Sequence, residues 1–134
     1  MGVPFVTEPG IFRNREYAKQ LKSFSGLRFG KITPTDIDGF LDFGNNVYVF
    51  IETKHGDSPL PYGQKLALER LCDTCTNAGK ASVVLVGHHE TDGDIDVAKL
   101  PVSLLRMKGK WRKPNKNMTI REAIESFLQW HSEK

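Results

Sequence analysis

The sequence predicts an α/β fold in which helices flank a mixed central β-sheet. Alternation over Thr35–Lys54 indicates two strands joined by a tight turn, and the apolar run Ala81–Val86 indicates a third, buried strand. Helical periodicity over Tyr62–Ala78 lies between them, which gives the order strand, strand, helix, strand. Because 134 residues are enough for one hydrophobic core, we expect a single domain over residues 1–134.

The hairpin consists of predicted strands over residues 36–43 and 47–54, with the loop Gly44-Asn45-Asn46 between them. Gly and Asn accept the positive φ angles that a three-residue hairpin loop requires. The loop length sets a register in which the numbers of paired positions sum to 90. This register places Asp38 directly opposite Glu52.

Two facing carboxylates are an unfavourable choice for stability alone. Opposed residues have Cβ atoms about 4.5–5.5 Å apart, and like charges there destabilise a sheet. A divalent cation between Asp38 and Glu52 would remove the repulsion, because hard cations such as Mg²⁺ bind carboxylate oxygens. Lys54 follows on the same face, roughly 7 Å along the strand, within reach of a phosphate or an attacking water. These groups suit metal-assisted phosphodiester hydrolysis; the alternative is an edge hairpin with solvated charges.

The same residues carry a resemblance to a known family. Asp38, followed fourteen residues later by Glu52-Thr53-Lys54, resembles the signature of the PD-(D/E)xK nuclease superfamily, an acidic residue on one strand and E-x-K on the next. The match is close over Thr35–Lys54 and extends to the rest of the chain only in layout. No Pro immediately precedes Asp38, so the motif leaves open whether Asp36 or Asp38 is the ligand, although the spacing and the following Gly favour Asp38.

The resemblance implies a restriction-endonuclease-like core and a Mg²⁺- or Mn²⁺-dependent DNA endonuclease. It implies that Asp38 and Glu52 hold the metal, with the Thr53 carbonyl as a further ligand. Lys54 would then orient or activate the attacking water and screen the charge that develops on phosphorus.

Two further catalytic candidates enter through the same resemblance. Several superfamily members, including Holliday-junction resolvases, carry an extra catalytic Glu on an N-terminal helix, and Glu16 in a predicted helix over Asn14–Ser25 matches it. Many members place a Gln at the start of the helix after E-x-K, where Gln64 stands. Both have structural alternatives, because a helix dipole favours Glu in the first turn and Gln64 could be an exposed helix residue.

The net charge of +3 is unevenly distributed. Arg106–Lys116 carries six basic residues and no acidic one, and Arg13–Lys31 carries another six against a single Glu. Basic segments on both sides of an acidic centre suit a polyanion such as DNA, although they could also be solvated faces. The residues predicted to bind DNA are Arg13, Arg15, Lys108, Lys110, Arg112, Lys113 and Lys116.

The small size, the lack of a separate recognition domain and the helical Glu16 resemble Holliday-junction resolvases of phage or archaeal type. That resemblance implies a homodimer that cleaves branched or four-way DNA. The first alternative is a less selective phage or repair nuclease that acts on flaps, single strands or duplex ends. The second is a non-catalytic nucleic-acid-binding module on a degenerate nuclease fold.

Other features of the sequence argue against a membrane protein and against a zinc site. No apolar run reaches the 18 residues of a membrane span and the N terminus lacks a signal peptide, so we expect a cytoplasmic protein of a bacterial, archaeal or phage-infected cell, with no membrane partner. Cys72 and Cys75 have C-x-x-C spacing but lie within the predicted helix. Zinc would need a second ligand pair, which His88-His89 would supply only by chance of folding.

Shorter elements are predicted towards the C terminus. Short strands are expected at Ile95–Val97 and Val102–Met107, with a turn at Gly109-Lys110-Trp111. Thr119-Ile120-Arg121-Glu122 is a capping box, in which Thr and Glu satisfy each other's free backbone N–H groups. It predicts a last helix that ends at His131.

Overall fold

The structure, a computed structural model, describes four stretches of the chain: residues 6–8, 11–12, 21 and 23–132. The chain divides into two units, Met1–Pro34 and Thr35–Lys134. In the first unit, β1 (Val6–Glu8) pairs with β2 (Ile11–Phe12) in antiparallel orientation. A short 3₁₀ helix covers Ser25–Leu27. The helix predicted over residues 14–25 is not α-helical at its described positions 21 and 23–25, and the rest of it lies outside the described residues.

The second unit contains a five-stranded mixed sheet and two helices, which confirms the α/β class. In sheet order the strands are β3 (Gly39–Phe43), β4 (Val47–His55), β5 (Ala81–His89), β6 (Val102–Met107) and β7 (Lys110–Arg112). The helices are α1 (Tyr62–Asn77) and α2 (Ile120–Ser132). Within the part of the chain that the structure describes, no helix combines the length and apolarity of a membrane span.

The hairpin adopts the register that its loop predicts. β3 and β4 pair from Phe43 opposite Val47 to Gly39 opposite Ile51, so each pair of residue numbers sums to 90. The ladder begins only at Gly39, so the predicted strand over residues 36–43 is three residues too long. Asp38 occupies the next position after the ladder, where its side chain is free to bond to the neighbouring strand.

The crossover between β4 and β5 makes the sheet mixed. These two strands are parallel and the other neighbours are antiparallel, because α1 carries the chain back to the starting edge of the sheet. α1 stops as predicted: Gly79 takes a φ of +89°, and the Lys80 N–H donates to the Cys75 carbonyl at 3.0 Å.

The C-terminal predictions are confirmed in part. The capping box forms, with the Thr119 N–H donating to Glu122 Oε1 at 2.9 Å and the Glu122 N–H to Thr119 Oγ1 at 3.1 Å. The strand predicted at Ile95–Val97 is wrong, since a 3₁₀ helix begins at Val97 instead. The predicted turn over residues 109–111 begins one residue later than the observed turn. Residues 108 and 109 form it with φ angles of 52° and 77°, the signature of a two-residue hairpin turn.

The sheet is covered by a different helix on each face. The α1 face and the α2 face each have their own buried cluster, because strand residues alternate in direction. The α1 face buries Phe50, Leu68, Cys72, Val84 and Val86. The α2 face buries Val49, Val83, Leu85, Leu100, Val102, Ile120, Ala123 and Phe127.

A polar clamp joins α1 to β6 and β7. Arg106 on β6 is 8% exposed and donates two hydrogen bonds to Asp73 on α1, at 3.0 and 2.6 Å. The Trp111 indole on β7 donates to Glu69 on α1 at 2.6 Å. Because a planar guanidinium and a carboxylate meet in a two-bond fork, the clamp fixes the orientation of the helix as well as its distance.

We expect Asp73→Ala to lower the free energy of unfolding by about 2–3 kcal/mol, because the buried Arg106 loses both hydrogen bonds to its carboxylate partner and keeps only the longer contact with Glu69 at 3.9 Å. The matched control is Glu125→Ala, which breaks an exposed pair with Arg121 on α2 and is expected to cost about 0.3–0.5 kcal/mol. Urea denaturation of both variants measures the difference. Equal losses from the two variants would contradict a structural role for the clamp.

Candidate active site

The residue before β3, the end of β4 and the start of α1 bring three predicted catalytic residues together around Glu52: Asp38, Lys54 and Gln64. Glu52 on β4 is 2% exposed. Its Oε1 accepts a hydrogen bond from the Asp38 N–H at 3.4 Å. Its Oε2 accepts from Gln64 Nε2 at 2.5 Å and forms a salt bridge with Lys54 Nζ at 3.2 Å. The carboxylate is therefore held at both oxygens.

Asp38 takes its position from the end of the ladder. Asp38 Oδ2 accepts hydrogen bonds from the Thr53 N–H at 2.8 Å and the Thr53 hydroxyl at 2.9 Å. These bonds continue the β3–β4 pairing through a side chain and fix the carboxylate beside Glu52. Among the described residues, Asp38 Oδ1 has no hydrogen-bond partner, so one oxygen remains available for a ligand.

Asp36 lies differently from Asp38. Its backbone carbonyl accepts a hydrogen bond from Gln64 Nε2 at 3.0 Å, while its residue is exposed. The structure thus uses the main chain of Asp36 to orient Gln64 and the side chain of Asp38 to face Glu52. The sequence left the choice between the two aspartates open, and this geometry favours Asp38 as the ligand.

Gln64 is an orienting group in the first turn of α1. Its Nε2 donates to Glu52 and to the Asp36 carbonyl, and the carbonyl can only accept, which sets the orientation of the amide. Gln64 Oε1 is then buried and has no partner within the described chain. A buried acceptor without a donor is costly and is commonly completed by a water or an ion.

The electrostatics of the site favour an added cation. Burial, and then the neighbouring Asp38 carboxylate, raise the pKa of Glu52 above its ordinary value, although Lys54 opposes the shift. A cation beside the two carboxylates would lower this pKa and stabilise the ionised form of Glu52. The oxygens of Glu52, Asp38 and Gln64 are hard donors, the kind that Mg²⁺ and Mn²⁺ prefer.

The oxygen donors of the site fit a divalent ion that keeps several waters better than an ion bound by protein ligands alone. No group of three or more His, Cys, Asp or Glu residues converges on a point anywhere in the described ranges. Mg²⁺ is usually bound through one or two carboxylates and keeps several waters or substrate oxygens. Asp38 and Glu52 meet that requirement. Glu16, the candidate for a further acid, lies outside the described residues.

His88 is a neighbour of the site that the sequence did not indicate. The parallel register of β4 and β5 places it beside Lys54. Its Nε2 donates to the Ser58 carbonyl at 3.0 Å, and its Nδ1 lies 2.5 Å from the Ser103 hydroxyl. His88 therefore ties the chain that follows β4 to β6. Only the pairing of two strands distant in sequence reveals it, and no local signal could have found it.

The predicted DNA-binding residues are less uniform than their sequence suggested. Lys110 and Arg112 pair with residues of the α2 face, which is opposite to the face of Glu52. The Lys108 ammonium lies 4.2 Å from the centre of the Trp130 ring, a cation–π contact. Lys113 and Lys116 are exposed in the segment that leads to α2. Arg13 and Arg15 lie outside the described residues.

The two cysteines are free thiols on α1. Cys72 is buried, and its Sγ lies 3.3 Å from the Ser82 hydroxyl. Burial raises the pKa of the Cys72 thiol, which keeps it protonated and poorly nucleophilic. The environment of Cys72 is that of a core residue.

Comparison of the chain with protein-family models, curated proteins and solved structures gave no match. The fold itself is compatible with many functions. The functional conclusion therefore depends on the geometry around Glu52.

We expect Glu52→Gln to raise the melting temperature of the cation-free protein at neutral pH. Because the pKa of Glu52 is raised in the folded state, the folded protein holds this proton more tightly than the unfolded chain. The free energy of unfolding should therefore fall as the pH rises from 4.5 through the raised pKa. Calorimetry as a function of pH measures this slope, which should be smaller in Glu52→Gln.

Added Mg²⁺ should then stabilise the wild type but not Glu52→Gln, because a ligand stabilises only the state that binds it. Glu90→Gln is the control, since Glu90 is exposed. A decrease in melting temperature for cation-free Glu52→Gln would contradict the unfavourable ionisation inferred for this residue.

Proposed function

We propose that this protein is a Mg²⁺- or Mn²⁺-dependent DNA endonuclease with a restriction-endonuclease-like core of the PD-(D/E)xK type. The observation that supports the proposal most strongly is the position of Asp38 next to Glu52, where the Asp38 N–H donates to Glu52 Oε1 at 3.4 Å and the Asp38 carboxylate accepts from Thr53. Lys54 contacts Glu52 at 3.2 Å in the same site. The three motif residues Asp38, Glu52 and Lys54 thus lie close together, which supports the proposal.

The residues of the site divide into holding and reacting groups. Asp38 and Glu52 would hold the cation, together with the Thr53 carbonyl. When bound, the cation polarises the scissile phosphate and makes a bound water more acidic. Lys54 donates hydrogen bonds that orient the attacking water and offset the negative charge that develops on the phosphate oxygens. Gln64 keeps the Glu52 carboxylate in place, and its Oε1 can accept from a water in the site.

The buried acid favours catalysis over simple DNA binding. Two carboxylates repel a phosphate backbone, and a binding module has no use for them. Glu52 is also almost fully buried, an arrangement that lowers stability unless a positive partner compensates it. A degenerate nuclease fold would be expected to lose such a costly group. The non-catalytic alternative is therefore less well supported.

The substrate that we propose is branched DNA, with cleavage of four-way junctions by a homodimer. This part of the proposal depends on the resemblance to small Holliday-junction resolvases. A two-fold dimer would present two equivalent sites to the symmetric strands of a junction. The alternative is a less selective nuclease for flaps, single strands or duplex ends.

We expect Asp38→Asn, Glu52→Gln and Lys54→Met each to lower Mg²⁺-dependent DNA cleavage about 100-fold or more, because each removes a group that holds the cation or stabilises the transition state. Asp36→Asn is the matched control, since only its main chain takes part in the site. It should retain cleavage near the wild-type rate. Rates on labelled DNA, with binding measured separately, test the series.

Loss of cleavage in Asp36→Asn together with full activity of Asp38→Asn would reverse the assignment of the two aspartates. Binding of DNA by the wild type without cleavage in either Mg²⁺ or Mn²⁺ would remove the enzyme proposal. Cleavage that persists in Glu52→Gln would do the same.

The substrate proposal predicts paired, symmetric nicks in a four-way junction, because two sites of a dimer act on equivalent strands. Flap, duplex and single-stranded DNA should be cleaved much more slowly. Electrophoresis of end-labelled substrates gives the cut positions. Equal cleavage of all substrates, still dependent on Glu52, would retain the active site and discard the junction specificity.

A further inference from the structure

A cavity of about 630 Å³ opens on the α2 face of the sheet. Its floor is formed by β5 and β6, one wall is α2, and the other wall is the segment 112–118. The apolar part of the lining comprises Val83, Leu85, Leu105, Met107, Met118 and Phe127. This volume lies within the range of about 300–1,000 Å³ that is typical of small-molecule sites.

The lining is charged on one side only. Arg112, Lys113 and Lys116 line the cavity from the wall opposite α2, and no Asp or Glu from the described residues takes part. All three cations belong to the exposed part of the chain, whereas the floor is apolar. A ligand that matches this arrangement has an apolar body and an anionic end.

Trp130 contributes an aromatic surface to the cavity, and Lys108 packs against its ring. Trp130 lines the cavity, and the Lys108 ammonium lies 4.2 Å from the centre of its ring. Contact between a cation and an aromatic face holds both groups in place. An indole in the wall offers a rigid, apolar surface to a ligand.

The proposed nuclease site does not account for this cavity. Glu52 and its partners lie on the α1 face, whereas the cavity lies on the α2 face. Phosphate binding requires surface cations but no apolar cavity behind them. The cavity is therefore a separate feature of the sheet.

We propose that this cavity binds a medium-chain carboxylate. The aliphatic chain lies on the floor between β5, β6 and α2, where burial of apolar surface favours binding. The carboxylate meets Lys113, Lys116 and Arg112 at the charged wall, where charge-assisted hydrogen bonds fix its orientation. The site is separate from the Glu52 site, and its three cations are also among the residues predicted to bind DNA.

Binding is tested by calorimetry on the full chain with dodecanoate, dodecanol and dodecyltrimethylammonium, below their micelle concentrations. Dodecanoate should bind saturably, and the uncharged and cationic ligands should bind at least about tenfold more weakly, because they lack the charged hydrogen bonds. Equal affinity for the three ligands, or no saturable binding of dodecanoate, would overturn the proposal.

Location is tested by brominated dodecanoate, which quenches tryptophan fluorescence on contact. The protein has two tryptophans. Trp111 lies on the α1 face, opposite to the cavity, where its indole N–H donates a hydrogen bond to Glu69. Trp111→Phe should retain the quenching and Trp130→Phe should lose it. The reverse result would place the ligand elsewhere and overturn the proposal.

Three variants at exposed positions test the two parts of the site. Ser126→Phe fills the cavity from α2 and should weaken dodecanoate binding by about tenfold or more. The double variant Lys113→Gln/Lys116→Gln should weaken dodecanoate binding towards the affinity of dodecanol, with Arg112 left as the remaining cation. Lys99→Gln, an exposed lysine outside the cavity lining, should leave binding unchanged. Circular dichroism confirms that each variant is folded.

Unchanged binding in Ser126→Phe would exclude the cavity as the site. Equal effects of Lys99→Gln and the double variant would show a general charge effect and not a specific contact. A wild-type dimer that Ser126→Phe dissociates, without dodecanoate binding, would make this face an interface between copies of the chain. Each of these outcomes overturns the proposal.

Discussion

The opposition of Asp38 and Glu52 across one hairpin is the constraint on which the candidate site depends. The register of β3 and β4 forces the two acids together, and the end of the ladder at Gly39 leaves Asp38 free to bond to Thr53. The remaining contacts compensate for this opposition. Lys54 supplies one positive charge and the helix that follows supplies a hydrogen bond. These contacts leave the ionised form of Glu52 unfavourable, which supports the proposed cation.

The polar clamp fixes the position of α1, the helix that carries Gln64 to the site. Gln64 reaches Glu52 only if the start of α1 is fixed against the end of β4. Arg106 fixes the same helix further along, through Asp73. The α1 crossover that makes β4 and β5 parallel thus also places the Gln64 amide beside Glu52. The candidate site lies on the α1 face. On the α2 face, the basic segment borders an apolar cavity.

Local patterns predicted much of the fold and the centre of the site. The loop of three small residues fixed the hairpin register, and the capping box at Thr119 gave the start of α2. Contacts between distant segments were not predictable in the same way. His88 lies beside Lys54 only because β5 pairs with β4, and the basic run alternates between faces only because it forms β7. The three-residue pattern at Ile95–Val97 was too short to distinguish a strand from a 3₁₀ helix.

Direct binding of Mn²⁺ is the most decisive test of the central inference, because it requires neither the correct DNA substrate nor turnover. Electron paramagnetic resonance of Mn²⁺ titrated with protein measures the free ion. The wild type and Asp36→Asn should bind Mn²⁺, and Asp38→Asn and Glu52→Gln should bind it at least about tenfold more weakly, because each removes a charged ligand. Wild-type affinity in Asp38→Asn and Glu52→Gln, or no binding by the wild type, would contradict a cation site between the two carboxylates.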